Sequence, residues 1–246
     1  MPGVETGWTT TRDVSDEKEL SVSMRALFPG SAGIGVEAVV QEAPEERIRE
    51  EWGGLLSRLA PVRRNEFLAG RRAAEDALAE WLPRGTYSIG IGSEREPIWP
   101  EGFCGSLSHS REWAVAAGGK AESLGSVGVD LEDPRRLSPK TWRLVLTPGE
   151  QDWIHLHIPE EEWKWWGTLL FSLKECFYKW QYPLTGAWLG FQDVEVELET
   201  TGSCGSARLR LSGSEGPPLL VGRTFSLGYR GNLYWLLTGM WGHPNG

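Results

Sequence analysis

Three short segments of the 246-residue chain carry side chains whose types and spacing suit chemistry on phosphates. In Val127-Gly128-Val129-Asp130-Leu131-Glu132, the period of a strand puts Asp130 and Glu132 on one face, with Val127, Val129 and Leu131 on the other. Paired carboxylates raise each other's proton affinity unless a cation lies between them. A hard divalent ion such as Mg²⁺ takes oxygen ligands and keeps room for substrate phosphates. The same pair also reads as a solvated strand end before the Asp133-Pro134 turn, and alone it does not decide. In the run Phe171 to Trp180, Glu175 and Lys179 share a helical face with Thr168 and Ser172. An isolated pair at that spacing is ordinarily a surface ion pair, but the dense aromatic surroundings offer a rigid platform. In Gly105-Ser106-Leu107-Ser108-His109-Ser110, His109 stands among hydroxyls, where it can donate to a phosphate oxygen or satisfy nearby backbone.

The elements that must position these segments follow from periodicity. Helices are expected over Glu45 to Leu59 (Ile48, Trp52, Leu55, Leu56 and Leu59 at helical spacing) and Arg63 to Leu82, ending before Pro83. Strand-like runs follow at Tyr87–Ile91, Trp113–Ala117 and Val127–Glu132. Thr147-Pro148-Gly149-Glu150 reads as a capping box with proline at the first helical position. A helix over Glu160 to Trp180 presents Trp163, Trp166, Leu170, Leu173, Phe177 and Trp180 as one apolar stripe. Asp193–Glu199, Ala207–Leu211, Phe225–Tyr229 and Leu233–Thr238 read as strands. The fold class is α+β with two lobes, the loop Ser123–Ser126 being the expected boundary. Residues 1–23 are polar and read as a mobile tail, and the compact region is expected to begin near Met24.

Composition removes several classes. A net charge of −9 lacks the basic footprint of a nucleic-acid-binding protein. No run of eighteen apolar residues exists and the N-terminus lacks a basic start and apolar core, so neither a membrane span nor a secretory signal is expected, and the cytoplasm is the expected location. Cys104, Cys176 and Cys204 have no zinc or disulfide spacing, and Cys176 is expected to pack rather than react. Of fourteen tryptophans, most are expected in the core and some on an apolar docking surface.

In combination the three segments SLSHS, GVDLE and FSLKECFYKW resemble the signature motifs of single-chain, two-lobed phosphopantetheinyl transferases. The runs Val62 to Arg71, Arg95 to Pro100 and Tyr182 to Gly186 resemble the carrier-priming enzymes of bacterial siderophore and secondary-metabolite pathways. The likeness covers approximately Arg63 to Val196. It implies two similar lobes related by a pseudo-twofold axis, residues 24–124 and 125–246, with the site between them. It further implies that 4'-phosphopantetheine passes from coenzyme A to a serine of an apo acyl or peptidyl carrier protein, releasing adenosine 3',5'-bisphosphate. By the same resemblance Asp130, Glu132 and Glu175 hold Mg²⁺ (or Mn²⁺), and Glu175 or a water takes the serine proton. Lys179 faces the pyrophosphate, His109 contacts a coenzyme A phosphate, and Arg63 and Arg71 recognise the 3'-phosphate or adenine side. Relatives often carry a lysine where Glu94 stands, so Arg95 is the candidate replacement. A monomer is expected. Two other readings stay open here, a non-catalytic relative and an unrelated metal-dependent phosphohydrolase.

Overall fold

The computed structural model describes residues 14–40, 52–199 and 202–243. In chain order the elements are α1 (Val14–Leu27), β1 (Gly33–Ala38), α2 (Gly53–Leu56), α3 (Pro61–Ala77), β2 (Gly90–Ile91), β3 (Pro97–Ile98), β4 (Phe103–His109), β5 (Trp113–Lys120) and α4 (Ala121–Leu124). They continue with β6 (Ser126–Glu132), α5 (Trp142–Val145), α6 (Pro148–His157), α7 (Trp163–Thr185), β7 (Val194–Leu198), β8 (Cys204–Leu211), β9 (Phe225–Gly231) and β10 (Leu236–Gly242). Strands form an antiparallel sheet in the order β1-β5-β4, a second in the order β6-β10-β9-β8-β7, and the small hairpin β2-β3. This mixture of helices and antiparallel sheets is α+β. Among the described residues no helix is long and apolar enough to cross a membrane.

Each large sheet receives one long helix, and glycines make the close approach possible. A Cβ on Gly35 would lie 1.8 Å from the Ala73 carbonyl oxygen, so α3 rides on β1 backbone to backbone, its face lined by Ala69, Ala73 and Ala77. On β6, a Cβ on Gly128 would lie 2.1 Å from the Cys176 carbonyl oxygen of α7. The alternation expected for β6 is present: Val127, Val129 and Leu131 join one apolar cluster, while Gly128 meets α7 on the opposite face. That cluster also holds Leu20, Met24 and Phe28 of the N-terminal segment, Val115 and Ala117 of β5, and Leu237 of β10. One apolar layer therefore runs beneath both sheets.

Several expectations need correction. The polar segment before Met24 is not a tail from residue 14 onward: it is α1, whose Leu20 and Met24 are fully buried. Residues 1–13 lie outside the described residues, as does the 45–51 part of the helix expected over 45–59. The last strand is displaced from 233–238 to Leu236–Gly242. Its displacement has a local cause, because Asn232 Oδ1 accepts from the Tyr234 and Trp235 amides at 2.8 and 3.0 Å and turns that stretch into a loop. The segment Phe103–His109, which is not among the expected strands, pairs along its whole length with β5. The long helix runs on from Trp180 through Pro183 to Thr185, stopping where Gly186 adopts φ +62°.

Gly128→Ala should lower stability by roughly 3 kcal/mol or leave the chain insoluble, since the obstacle is helix backbone that cannot yield. Gly30→Ala, where no described residue lies within 4 Å, should leave the urea midpoint nearly unchanged.

Candidate active site

The β6–α7 contact assembles the polar centre. Asp130 is 3% exposed and would pay heavily for its charge without partners. It has three. Lys179 Nζ donates to Oδ1 at 2.7 Å, Ser108 Oγ donates to the same oxygen at 2.9 Å, and Ser172 Oγ donates to Oδ2 at 2.8 Å. Lys179 also donates to the Val129 carbonyl at 3.1 Å, and Thr238 lies 3.0 Å from the Ser172 hydroxyl. Burial acts to lower the Lys179 ammonium, but the Asp130 and Glu175 carboxylates override it and hold the group above its usual range. Lys179 is thus a fixed cation.

The strand β4 supplies the next layer. Ser106 and Ser108 project from the same side, and Ser106 Oγ accepts from the Val129 amide at 3.1 Å. These two hydroxyls tie β4 to β6, which are not paired as strands. At the end of β4, His109 Nδ1 lies 3.7 Å from Glu66 Oε2, which also accepts from Arg63 Nη1 at 2.8 Å. Burial lowers the His109 pKa; Glu66 opposes this, while the charges of Lys179 and Arg63 reinforce it.

The remaining carboxylates are strained electrostatically. Burial first, then the charge of Asp130, pushes Glu132 up to about 7, although Arg136 Nη1 sits 2.6 and 2.7 Å from its two oxygens. Burial also raises Glu175, with Lys179 opposing and Asp130 adding to the shift. The Glu175 carboxylate makes no hydrogen bond with any described residue. Among the described residues no group of three His, Cys, Asp or Glu side chains is preassembled around a metal position. The expected trio Asp130, Glu132 and Glu175 is instead neutralised from within, by Lys179 and Arg136. Its chemistry nevertheless fits a hard cation: all donors are carboxylate oxygens, and two are held in a more basic state than usual.

The expected coenzyme A contacts divide. Arg63 and His109 share Glu66 beside the polar centre. Arg71 departs from expectation: it is 4% exposed, donates to the Ile89 and Gly90 carbonyls at 3.0 and 3.1 Å, and lies over the Phe67 ring at 4.5 Å. Burial draws its pKa down to about 10. Its guanidinium is spent on holding the start of β2. Arg95 is exposed at the tip of the β2-β3 hairpin with φ +69°, in a turn closed by Gly92 donating to the Glu96 carbonyl at 2.8 Å. No hydrogen bond or ion pair joins it to Asp130 or Lys179 among the described residues.

Sequence reasoning missed Lys174, the neighbour of Glu175. Its ammonium is 1% exposed, 2.7 Å from Glu150 Oε2, and donates to the Val145 and Phe191 carbonyls at 3.0 and 2.8 Å. Glu150 meanwhile closes the expected capping box with Thr147 and accepts from the Val196 amide at 2.8 Å. The signal was available, because residue 174 falls four after Leu170 and three before Phe177, inside the apolar stripe. Glu66 falls three after Arg63 and Arg136 four after Glu132, so local spacing offers those two pairs, whereas nothing local identifies Ser106 and Ser108 as partners of β6.

Comparison with known proteins identifies the family. Residues 51–118 match the 4'-phosphopantetheinyl transferase N-terminal domain, and residues 126–216 match the 4'-phosphopantetheinyl transferase superfamily. The chain is 36% identical over 171 residues to the 4'-phosphopantetheinyl transferase PptT of Mycobacterium tuberculosis, covering 67% of this chain and 74% of that protein. It is 31% identical over 202 residues to the 4'-phosphopantetheinyl transferase Svp of Streptomyces mobaraensis, covering 80% and 79%. It is 44% identical over 120 residues to the enterobactin synthase component D of Salmonella typhi, covering 48% and 47%. The chain belongs to the 4'-phosphopantetheinyl transferase superfamily and is an enzyme of its siderophore and secondary-metabolite type.

Lys174→Met should cost about 3–5 kcal/mol in chemical denaturation, since it leaves Glu150 charged and buried without its cation. A loss below 1 kcal/mol would show that the pair does not anchor α7.

Proposed function

We propose that the protein transfers 4'-phosphopantetheine from coenzyme A to a serine of an apo acyl or peptidyl carrier protein, with Mg²⁺ as cofactor and adenosine 3',5'-bisphosphate as the leaving product. The observation that carries this reading is the convergence on Asp130 of Lys179, Ser108 and Ser172, with Glu175 and His109 alongside. In the transfer the serine Oγ forms a bond to the β-phosphorus while the bond from that phosphorus to the bridging pyrophosphate oxygen breaks. The serine proton passes to Glu175, directly or through a water. A carboxylate held more basic than usual by burial is suited to that role. Lys179, kept cationic by Asp130 and Glu175, offers charge to the leaving phosphate oxygens. Asp130, Glu132 and Glu175 are the groups that would hold Mg²⁺, which when bound supplies Lewis-acid neutralisation of the pyrophosphate.

His109 and Arg63, which share Glu66, would receive the coenzyme A phosphates, and the exposure of most of the Arg63 side chain supports this. Arg71 supports from behind by fixing the start of β2, and Arg95 is the candidate replacement for the lysine of relatives. The two lobes, residues 24–124 and 125–246, would then each contribute: β4 with His109 from the first, β6 and α7 from the second. We further propose a cytoplasmic monomer that docks its carrier through a local apolar or basic patch, because a chain of net charge −9 cannot steer an acidic carrier over distance.

Incubation with coenzyme A, Mg²⁺ and an apo carrier domain should add one phosphopantetheine to the carrier, read by mass spectrometry. Glu175→Gln and Asp130→Asn should each lower the rate by about 10²–10⁴-fold, and Lys179→Met by about 10²–10³-fold. Release of adenosine 3',5'-bisphosphate with no gain in carrier mass would instead indicate a hydrolase. Unchanged mass across several unrelated carriers would refute the transfer.

A further inference from the structure

Glu132 is met in this structure by a cation of the chain itself. Arg136 follows it across the Asp133-Pro134 turn, and its Nη1 lies 2.6 and 2.7 Å from the two carboxylate oxygens. The two partners differ in freedom: the Glu132 side chain is 7% exposed and the Arg136 side chain is 58% exposed. One face of the guanidinium lies over the Phe171 ring at 5.5 Å, and the rest has solvent to move into. Lys179 offers no such freedom, being tied to the Val129 carbonyl as well as to Asp130. Arg135 is committed elsewhere, to Asp133.

Arg136 also serves more than one anion. The charges of Asp130 and Glu175 act on it together with that of Glu132, which is the full set proposed above to hold the divalent ion. A guanidinium gripping both oxygens of Glu132 and a metal ion bound to that carboxylate compete for the same lone pairs. We propose that Arg136 is a resident counter-cation that a divalent ion must displace. It neutralises the carboxylates while metal is absent and thereby sets the affinity for metal. This inference rests on the metal-binding reading of Asp130, Glu132 and Glu175.

The test is a Mn²⁺ titration of the full chain with coenzyme A present and carrier absent, so that no turnover occurs, followed by electron paramagnetic resonance of the free ion. R136Q should bind Mn²⁺ about tenfold more tightly than the unaltered chain, the effect of removing one partly exposed like charge from beside the site. R136K keeps the charge without the planar fork and should fall between. Metal-free R136Q should melt at a lower temperature, because Glu132 loses its partner, and Mn²⁺ should raise that temperature by more than in the unaltered chain. Should R136Q not fold, R136K still has to bind Mn²⁺ more tightly. Equal or weaker Mn²⁺ binding in the folded Arg136 variants overturns the displacement idea while leaving the metal reading intact. Mn²⁺ binding that is absent from the unaltered chain, or unaltered by E132Q, overturns the metal reading and the displacement idea with it.

Discussion

Burying the charge of Asp130 is the constraint on which the rest of the site depends. A carboxylate with almost no access to water must find its donors in the protein, and here they come from three places in the chain. Ser108 arrives on β4, while Ser172 and Lys179 arrive two turns apart on α7. The two donors on α7 can reach only if β6 lies hard against that helix, and that closeness is set by Gly128, whose missing side chain admits the Cys176 carbonyl. Packing and charge are therefore one requirement. Nothing larger at position 128 would leave Lys179 within 2.7 Å of Asp130.

Adjacent residues of α7 answer this requirement in opposite ways. Lys174 is sealed among Glu150, Val145 and Phe191, where its ion pair joins α7 to the start of α6 and to the segment before β7. Glu175, a hundred degrees further around the helix, has a carboxylate with no hydrogen bond to a described residue, kept basic by burial. A rigid helix can present a reactive carboxylate only if something else holds the helix. The Lys174–Glu150 pair and the apolar stripe supply that support.

Much of this was legible in the sequence because it depends on local periods. The alternation in Val127–Glu132, the apolar stripe of α7 and the Thr147–Glu150 box each follow from residues within a few positions of one another. What stayed hidden depends on contacts across the chain, such as Ser108 with Asp130 or Lys174 with Val145. The N-terminal helix was misread for a different reason. Its apolar residues Leu20 and Met24, with Phe28 just past its end, recur every fourth position, but they are outnumbered locally by charged and hydroxyl residues. Their burial comes from a stripe only one residue wide that finds β5, β6 and β10. Arg71 carried the right residue type at an expected position, and its guanidinium was nevertheless taken by the Ile89 and Gly90 carbonyls.

The central claim is that Asp130 and Lys179 act as one unit in the transfer. A double-mutant cycle on the single-turnover rate of carrier modification, using Asp130→Asn, Lys179→Met and the combination, measures this directly. The account predicts strong non-additivity, with the double variant about as slow as the slower single variant. Losses that multiply, as for two independent groups, would contradict it.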